Sequence, residues 1–125
     1  MSPSPDKVRA YRLGHVAETM AALLLRCKGY RILERRYRTK VGEIDLIARR
    51  GRVLAMVEVK ARSPSGGIHA AESLSAKQRR RIERAANTYL ANHAASQNCD
   101  IRFDLIVVGR GRLPRHLAGA WIAGD

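Results

Sequence analysis

Two stretches of the chain have the apolar spacing of an amphipathic helix. In the first, which runs from Asp6, a candidate N-cap, to about Lys28, apolar residues recur at intervals of three and four. The residues of this stripe are Val16, Met20, Leu23, Leu24 and Cys27. The second begins at Ser73 or Ser75 and reaches about Ala95. The residues of its stripe are Ile82, Ala85, Ala86, Tyr89 and Leu90. The chain is therefore predicted to contain two helices.

Four short runs rich in β-branched and apolar residues predict strands in the rest of the chain. They cover residues 30–37, 43–48, 53–60 and 101–108. Residues 49–52 are predicted to form a tight hairpin turn, and the composition of residues 63–69 predicts a flexible loop. The order αβββαβ is typical of an α/β or α+β domain with a mixed sheet. A length of 125 residues fits a single domain, 1–125, with a flexible tail at residues 1–5.

Charged side chains interrupt the two strands of the predicted hairpin. Asp45 lies within the apolar residues 44–47, and Glu58 and Lys60 alternate with apolar residues at the end of the next strand. Burial of a charge costs several kcal/mol unless the charge is paired or bound to a metal. The three charged residues are therefore candidates for a functional site.

The pairing of the hairpin decides whether these side chains meet. If Arg50 and Gly51 are the central residues of the turn, counting back places Met56 opposite Asp45. Asp45 then shares a sheet face with the two charged residues of the next strand, because side chains alternate with a period of two. A slip of one residue would move Asp45 to the other face.

Two carboxylates and an ammonium group on one face suit phosphodiester cleavage. Asp45 and Glu58 would hold Mg²⁺, a hard cation that prefers oxygen ligands, and the carbonyl of Val59 is a candidate further ligand. The metal would polarise the phosphate and lower the pKa of an attacking water, while Lys60 would orient that water or stabilise developing charge. The alternative is a surface ion pair in which Lys60 bridges the acids at a strand end.

Four further polar residues are candidates for a role in the site or in the fold. Glu18 falls on a small, apolar side of the first helix, which suits a carboxylate aimed at the sheet, but helical spacing alone favours an ordinary half-exposed glutamate. Glu43 is either a further acidic ligand or an edge-strand charge paired with an arginine. Gln78 is predicted to cap the second helix or face solvent rather than the site, and Asp104 is predicted to be structural. The histidines lack ligand spacing, so none is assigned to a metal.

The charge balance narrows the class of partner. The chain has 24 Lys+Arg against 11 Asp+Glu, a formal net charge of +13 and a pI of about 11.0. This excess predicts an anionic partner, either nucleic acid or an acidic membrane surface. Basic residues cluster within residues 26–40 and 77–84. The candidate nucleic-acid contacts are Arg35, Arg36, Arg38, Lys40, Arg62, Lys77, Arg80 and Arg81.

Composition argues against several other classes. No apolar run approaches the roughly 20 residues of a transmembrane helix, and the first residues lack a signal pattern, so no integral membrane contact is expected. Peripheral membrane binding would need a basic amphipathic helix with bulky apolar anchors, which the sequence lacks. Cys27 and Cys99 lack metal-ligand spacing and suit the reduced thiols of a cytoplasmic protein. An aromatic content of 5% argues against modules that stack bases on aromatic side chains.

Several motifs together resemble one protein family. They lie at residues 14–18, 29–33, 42–48 and 58–62, and the similarity continues through 77–90, 102–104 and 116–121. In these residues the chain resembles the YraN family of small bacterial proteins, which are classed as predicted endonucleases. The segment GEIDLIA, followed by EVKAR, is the most specific part. The family is similar to the PD-(D/E)xK restriction-endonuclease-like superfamily and, within it, to archaeal Holliday-junction resolvases.

The resemblance implies both a fold and a site. The fold is a restriction-endonuclease-like α/β domain with an αβββαβ core, in which helices flank a mixed central sheet. The site is a nuclease centre dependent on Mg²⁺ or Mn²⁺, in which Glu18, Asp45 and Glu58 are metal ligands and Lys60 completes the catalytic set. Ile44 stands where the superfamily often has a proline before the aspartate.

Two functions follow as hypotheses. The first is a metal-dependent endonuclease that hydrolyses phosphodiester bonds in DNA, with branched or structured DNA as a candidate substrate. The second is a non-catalytic accessory protein that binds nucleic acid on a nuclease fold, against which the retained acids argue. A bacterial cytoplasmic protein is expected, with the nucleoid as a candidate location. A homodimer is a further candidate, because such nucleases often pair to cut two strands.

Overall fold

The computed structural model describes residues 5–61, 74–109 and 111–124, and describes side chains from Gly14 onward. Its helices are α1 (Pro5–Cys27) and α2 (Ala76–Asn92), and its strands are β1 (Arg31–Arg38), β2 (Glu43–Arg50), β3 (Val53–Ala61), β4 (Asp100–Val108) and β5 (Arg115–Trp121). The predicted order αβββαβ is confirmed through β4. The prediction stopped there, and β5 is a strand that it missed. Pro5, assigned to a tail, begins α1, whereas the rest of that tail and the predicted loop 63–69 lie outside the described residues.

The five strands form one mixed sheet in the order β1-β2-β3-β4-β5. All neighbouring pairs are antiparallel except β3 and β4, which are parallel and therefore need the crossover that contains α2. One apolar cluster joins α1 to Leu46, Val57 and Ile106 of the sheet. A second joins α2 to Ile47 and Met56. The helices thus cover opposite faces, and the fold is consistent with a restriction-endonuclease-like α/β domain.

The face that α1 buries differs from the predicted one. Its buried residues are the small-residue side, made of Ala17, Glu18, Ala21, Ala22 and Leu25. Val16 and Leu23, from the predicted stripe, are 55% and 53% exposed, and Cys27 is exposed as well. Alanines let the helix backbone approach the sheet closely, so α1 packs through its small residues rather than its bulky ones. Glu18 is carried into the interior by this packing.

The second helix follows the prediction closely. Ser75 is its N-cap, and the Ser75 and Gln78 side chains each bond the other residue's backbone N–H, which forms a capping box. Gln78 therefore has the capping role predicted for it. The predicted stripe faces the sheet, with Ile82, Ala85, Ala86 and Tyr89 buried. The helix ends at Asn92, and a short 3₁₀ turn at Ala94–Ser96 follows.

The hairpin between β2 and β3 turns one residue later than predicted. Arg50 pairs with Val53, so the central residues of the turn are Gly51 and Arg52 rather than Arg50 and Gly51. Gly51 has a φ of +61°, which two-residue hairpin turns require and glycine adopts without strain. The register moves by two positions, so continuing it places Glu58, not Met56, opposite Asp45. Within the paired residues the predicted parity of the two faces is unchanged, because two positions are one full period. Beyond them, Ile44 packs with α2 and Leu46 with α1, so the regular alternation breaks at Asp45.

Candidate metal and nucleic-acid site

The β2–β3 ladder ends where the interrupting charges begin. Its last paired residues are Leu46 and Val57, although both strands continue beyond them. At the next position, Oδ2 of Asp45 accepts a hydrogen bond from the backbone N–H of Val59 at 2.8 Å. A carboxylate thus takes the place of the backbone carbonyl that a regular ladder would supply. The strands hold Asp45 against Glu58 at the point where their pairing stops.

Asp45 and Glu58 form a half-buried acid pair. Burial raises the pKa of both carboxyl groups. At Asp45 the hydrogen bond from the Val59 N–H favours the ionised form and opposes this shift. The pKa of Glu58 is raised to about 8 by burial and then by the negative charge of Asp45, to which its carboxyl is hydrogen-bonded. Lys60 opposes this shift, with its Nζ 3.7 Å from Oε1 of Glu58. Two adjacent carboxyl groups that lack a cation retain a proton near neutral pH.

The donor set of the acid pair suits a hard divalent cation. A residue in a strand points its N–H and C=O to the same edge, so the carbonyl of Val59 faces the gap that its N–H faces. Asp45, Glu58 and this carbonyl are all oxygen donors. Mg²⁺ is commonly held by one or two carboxylates, with waters and substrate phosphates completing its shell. Across the described residues, no group of three or more His, Cys, Asp or Glu side chains is arranged to hold a metal. In the part of the chain that the structure describes, the acid pair is thus a site with two carboxylates.

Glu18 is buried and paired with arginines. Its side chain contacts Arg35 Nε through Oε1 at 3.2 Å and Arg36 Nε through Oε2 at 2.9 Å. The interpretation as a half-exposed glutamate is therefore wrong, because the small-residue face of α1 lies against the sheet. Glu18 and Asp45 line one cavity of about 250 Å³, which we call the acidic cavity. Both oxygens of Glu18 are engaged by arginines, so its predicted part in metal binding would require them to exchange partners.

A left-handed residue lets both arginines reach Glu18. Neighbouring side chains of a strand normally point to opposite faces, yet Arg35 and Arg36 bind the same carboxylate. Arg36 has a φ of +54°, which is uncommon for a residue with a Cβ and reverses the local alternation. It also contacts the imidazole of His15, a cavity-lining residue that the sequence, from the spacing of its histidines, did not indicate as a metal ligand.

The remaining predicted contacts divide between two cavities. Arg38 and Glu43 line the acidic cavity and form an exposed ion pair at 3.9 Å, so Glu43 has the arginine partner of its second interpretation. A second cavity, of about 540 Å³, lies between α2 and the turn that joins β1 to β2. We call it the basic cavity, and it is lined by Lys40, Val41, Lys77, Arg80, Arg81 and Arg84. Arg62 lies outside the described residues.

Asp104 is the structural acid that the sequence predicted. It is fully buried and accepts hydrogen bonds from Arg102 at 2.8 and 2.7 Å, from His116 at 2.8 Å and from the backbone N–H of Gly119 at 3.0 Å. Burial alone would raise its pKa, but these bonds lower it to about 2. The same cluster fastens β5 to β4, and Arg102 also donates to the hydroxyl of Tyr30.

Comparison with known proteins finds a match to one protein family. The sequence model of the uncharacterised protein family UPF0102 matches residues 17–108. A UPF0102 protein of Parvibaculum lavamentivorans is 55% identical over 112 residues, which are 90% of this chain and 83% of the relative. Relatives from Sinorhizobium fredii and Paramagnetospirillum magneticum are 48% and 47% identical, each over 95% of this chain and over 96% and 94% of their own lengths. These names state a family and no activity. Of the helices in the described ranges, none is long and apolar enough to span a membrane.

Proposed function

The chain belongs to the uncharacterised protein family UPF0102, the YraN family that its motifs resemble, and from its site we propose that it is a metal-dependent nuclease that hydrolyses phosphodiester bonds in DNA. The observation that carries the proposal is the acid pair. Asp45 and Glu58 are held together where the ladder ends, with Lys60 beside them, in a chain whose net charge is +13. An acidic site repels DNA unless a cation fills it, so acids within a basic protein suit a metal-dependent reaction on a polyanion.

Each residue of the site has a separate role in the proposed reaction. Asp45, Glu58 and the carbonyl of Val59 would hold Mg²⁺ or Mn²⁺, which supplies Lewis-acid polarisation of the phosphate and a lowered pKa for water. Lys60, held near Glu58, would orient the attacking water or stabilise charge on the phosphate. Glu18 holds the guanidinium groups of Arg35 and Arg36, of which Arg36 lines the acidic cavity, and such groups match phosphate oxygens in bidentate geometry. Branched or structured DNA is the substrate we propose, in a bacterial cytoplasm.

One observation favours a second candidate function, which is binding of nucleic acid without cleavage. Both oxygens of Glu18 are occupied by arginines and Glu43 is paired with Arg38, so among the described residues Asp45 and Glu58 are the two carboxylates left at the site. If the arginines keep their hold when substrate is bound, the chain has fewer metal ligands than its resemblance implies. Both functions predict that the chain binds DNA, but only the first predicts that it cleaves DNA, so a cleavage assay separates them.

The proposed function is tested with a panel of labelled duplex, single-stranded, flap and four-way DNAs in Mg²⁺ and in Mn²⁺. The variants are Asp45→Asn and Lys60→Ala, and the matched control is Asp100→Asn, an exposed aspartate at the opposite end of the sheet. We expect cleavage by the wild type and the control, a loss of at least about 100-fold in each site variant, and DNA binding in all four proteins. Cleavage that persists in Asp45→Asn would remove Asp45 from the mechanism. A wild type that binds but never cleaves would establish the second function.

A further inference from the structure

The basic cavity has walls that fit tightly at the backbone. Gly42, in the turn between β1 and β2, lies against the carbonyl of Arg81 in α2, so closely that a Cβ on Gly42 would be 1.8 Å from the Arg81 oxygen. This contact seats the turn on the helix and fixes Lys40 and Val41 opposite the basic side chains of α2. The cavity is therefore a built feature of the fold rather than a chance gap between side chains.

Of the six described residues that line the basic cavity, five are cationic, and a nearby acid is bonded elsewhere. Glu83, which lies within the same stretch of α2, accepts hydrogen bonds from Trp121 Nε1 at 3.2 Å and from the N–H of Gly124 at 3.1 Å. In the described part of the chain, no carboxylate lies within ion-pair distance of the five cations. Like charges held together repel one another, so an anion from outside the protein would stabilise the cavity.

The shape of the cluster indicates the kind of anion. Lys77, Arg80, Arg81 and Arg84 are spaced as one face of a helix and extend over about 10 Å of its axis. That length matches about three successive phosphates of one strand of a duplex. Among the described residues that line the cavity none is aromatic, whereas sites for single strands rely on aromatic stacking. The chemistry is that of a duplex backbone recognised without reference to sequence.

The two cavities lie on either side of the same turn. Arg38 and Glu43 line the acidic cavity, and Lys40 and Val41, between them in sequence, line the basic cavity. We propose that the basic cavity binds the phosphate backbone of double-stranded nucleic acid as a positioning site, so that the duplex crosses this turn towards the acid pair. This inference rests on the proposed function for its class of ligand and for the direction of the duplex.

The test replaces three exposed cations of α2 by glutamine in one variant, Lys77→Gln/Arg80→Gln/Arg84→Gln. Arg81 is left in place so that the residue of α2 that packs against Gly42 is unchanged. The matched control removes the same charge from three exposed arginines outside both cavities, as Arg26→Gln/Arg31→Gln/Arg52→Gln. Affinity for a fluorescent 20-base-pair duplex is measured by anisotropy at several salt concentrations, without divalent metal, so that neither binding nor its interpretation depends on cleavage.

We expect the slope of log K against log[salt] to become shallower by about 2.7 in the cavity variant, which is 0.9 for each of three phosphates. The corresponding loss of affinity at 0.1 M salt is up to about 500-fold, and the control is expected to keep the wild-type slope. An unchanged slope in the cavity variant, or an equal change in the control, overturns the proposal. Two competitors test the ligand class: inorganic phosphate at millimolar concentration should not displace the duplex, and vesicles of anionic lipid should bind both variants equally. Displacement by phosphate, or vesicle binding lost only in the cavity variant, overturns it as well.

The outcomes separate this inference from the nuclease proposal. A wild type that binds through the basic cavity and never cleaves overturns the nuclease and leaves the cavity assignment standing. A wild type that cleaves, with the same salt slope in both triple variants, does the reverse.

Discussion

Protonation of Asp104 is expected to destabilise the fold at low pH. Its buried carboxylate accepts four hydrogen bonds, two from Arg102 and one each from His116 and Gly119. These donors favour the ionised form so strongly that its pKa falls to about 2 in spite of complete burial. A protonated Asp104 would leave Arg102 in the same buried cluster with no negative partner, and that arrangement is costly.

The magnitude follows from the difference in pKa between the folded and unfolded chain. An ordinary aspartate titrates near 3.8, and Asp104 in the fold titrates near 2. At about 1.4 kcal/mol per unit, the folded state gains on the order of 2 kcal/mol from this ionisation. Because the folded pKa is the lower one, the gain is fully present above about pH 4 and is lost as the pH falls through 2. Replacement by asparagine removes this dependence and, at neutral pH, destabilises the fold by about 3 kcal/mol.

The assay is urea unfolding between about pH 2 and pH 7, followed by the fluorescence of Trp121. This is the single tryptophan of the chain, and it is buried and stacked on Phe103, so its emission reports on the β4–β5 region. Between pH 5 and pH 2 the wild type should lose about 2 kcal/mol more than Asp104→Asn does. The control is Asp100→Asn, an exposed aspartate on the same strand, which should follow the wild type. If Asp104→Asn keeps the full acid dependence of the wild type, the assignment of this stability to Asp104 is refuted.

Two other substitutions test the packing around the two cavities. Gly42→Ala should lower the free energy of unfolding by about 1–3 kcal/mol, because the new Cβ meets backbone that no side-chain rotation can relieve. Gly14→Ala, where a Cβ meets nothing within 4 Å, should stabilise helix α1 by about 0.5–1 kcal/mol, and equal effects of the two changes would contradict the close approach. Glu18→Gln should destabilise the fold by about 1–3 kcal/mol, because an amide cannot neutralise Arg35 and Arg36. A urea midpoint equal to that of the wild type would show that this ion-paired cluster is not stabilising.

Sequence patterns predicted the helices and strands better than they predicted the faces that these elements bury. In α2, propensity, capping and apolar spacing agree, and the buried stripe is the predicted one. In α1, two apolar faces compete, and hydrophobicity favoured the face with Val16 and Leu23 over the alanine face. The alanine face is buried because close approach to the sheet gains more contact than the larger side chains would. The spacing of apolar residues along a helix does not describe the sheet surface against which the helix packs.

Long-range contacts explain why β5 was missed. Its sequence contains Gly119 and two alanines, which have low strand propensity, and nothing local predicts a strand. The strand forms because His116 and Gly119 bind Asp104, and because Trp121 stacks on Phe103 and bonds Glu83. These partners are 12 or more residues away in sequence, so a local pattern cannot show them.

The candidate site was predictable only where the chemistry lies on one hairpin. Asp45, Glu58 and Lys60 are conspicuous as charges within apolar strands, and the error in the turn left the parity of the paired part of the hairpin unchanged. The pairing of Glu18 with two consecutive arginines was not predictable. It depends on the positive φ of Arg36, and an arginine in a sequence does not indicate that backbone conformation.

Two buried acids of one sheet show how structural and functional carboxylates differ. Both Asp104 and Glu58 are withdrawn from water, which by itself raises the pKa of each. The fold supplies Asp104 with donors from three residues, so its pKa falls to about 2 and the site is complete. Glu58 is withdrawn from water beside another carboxyl group, with a single ammonium group near it, so its pKa rises to about 8 and the acid pair holds a proton near neutral pH in place of a cation. A buried carboxylate whose oxygens accept hydrogen bonds from within the fold does not require a bound cation. The acid pair that the fold leaves short of positive charge is the place where a cation, and with it a phosphodiester, is expected to bind.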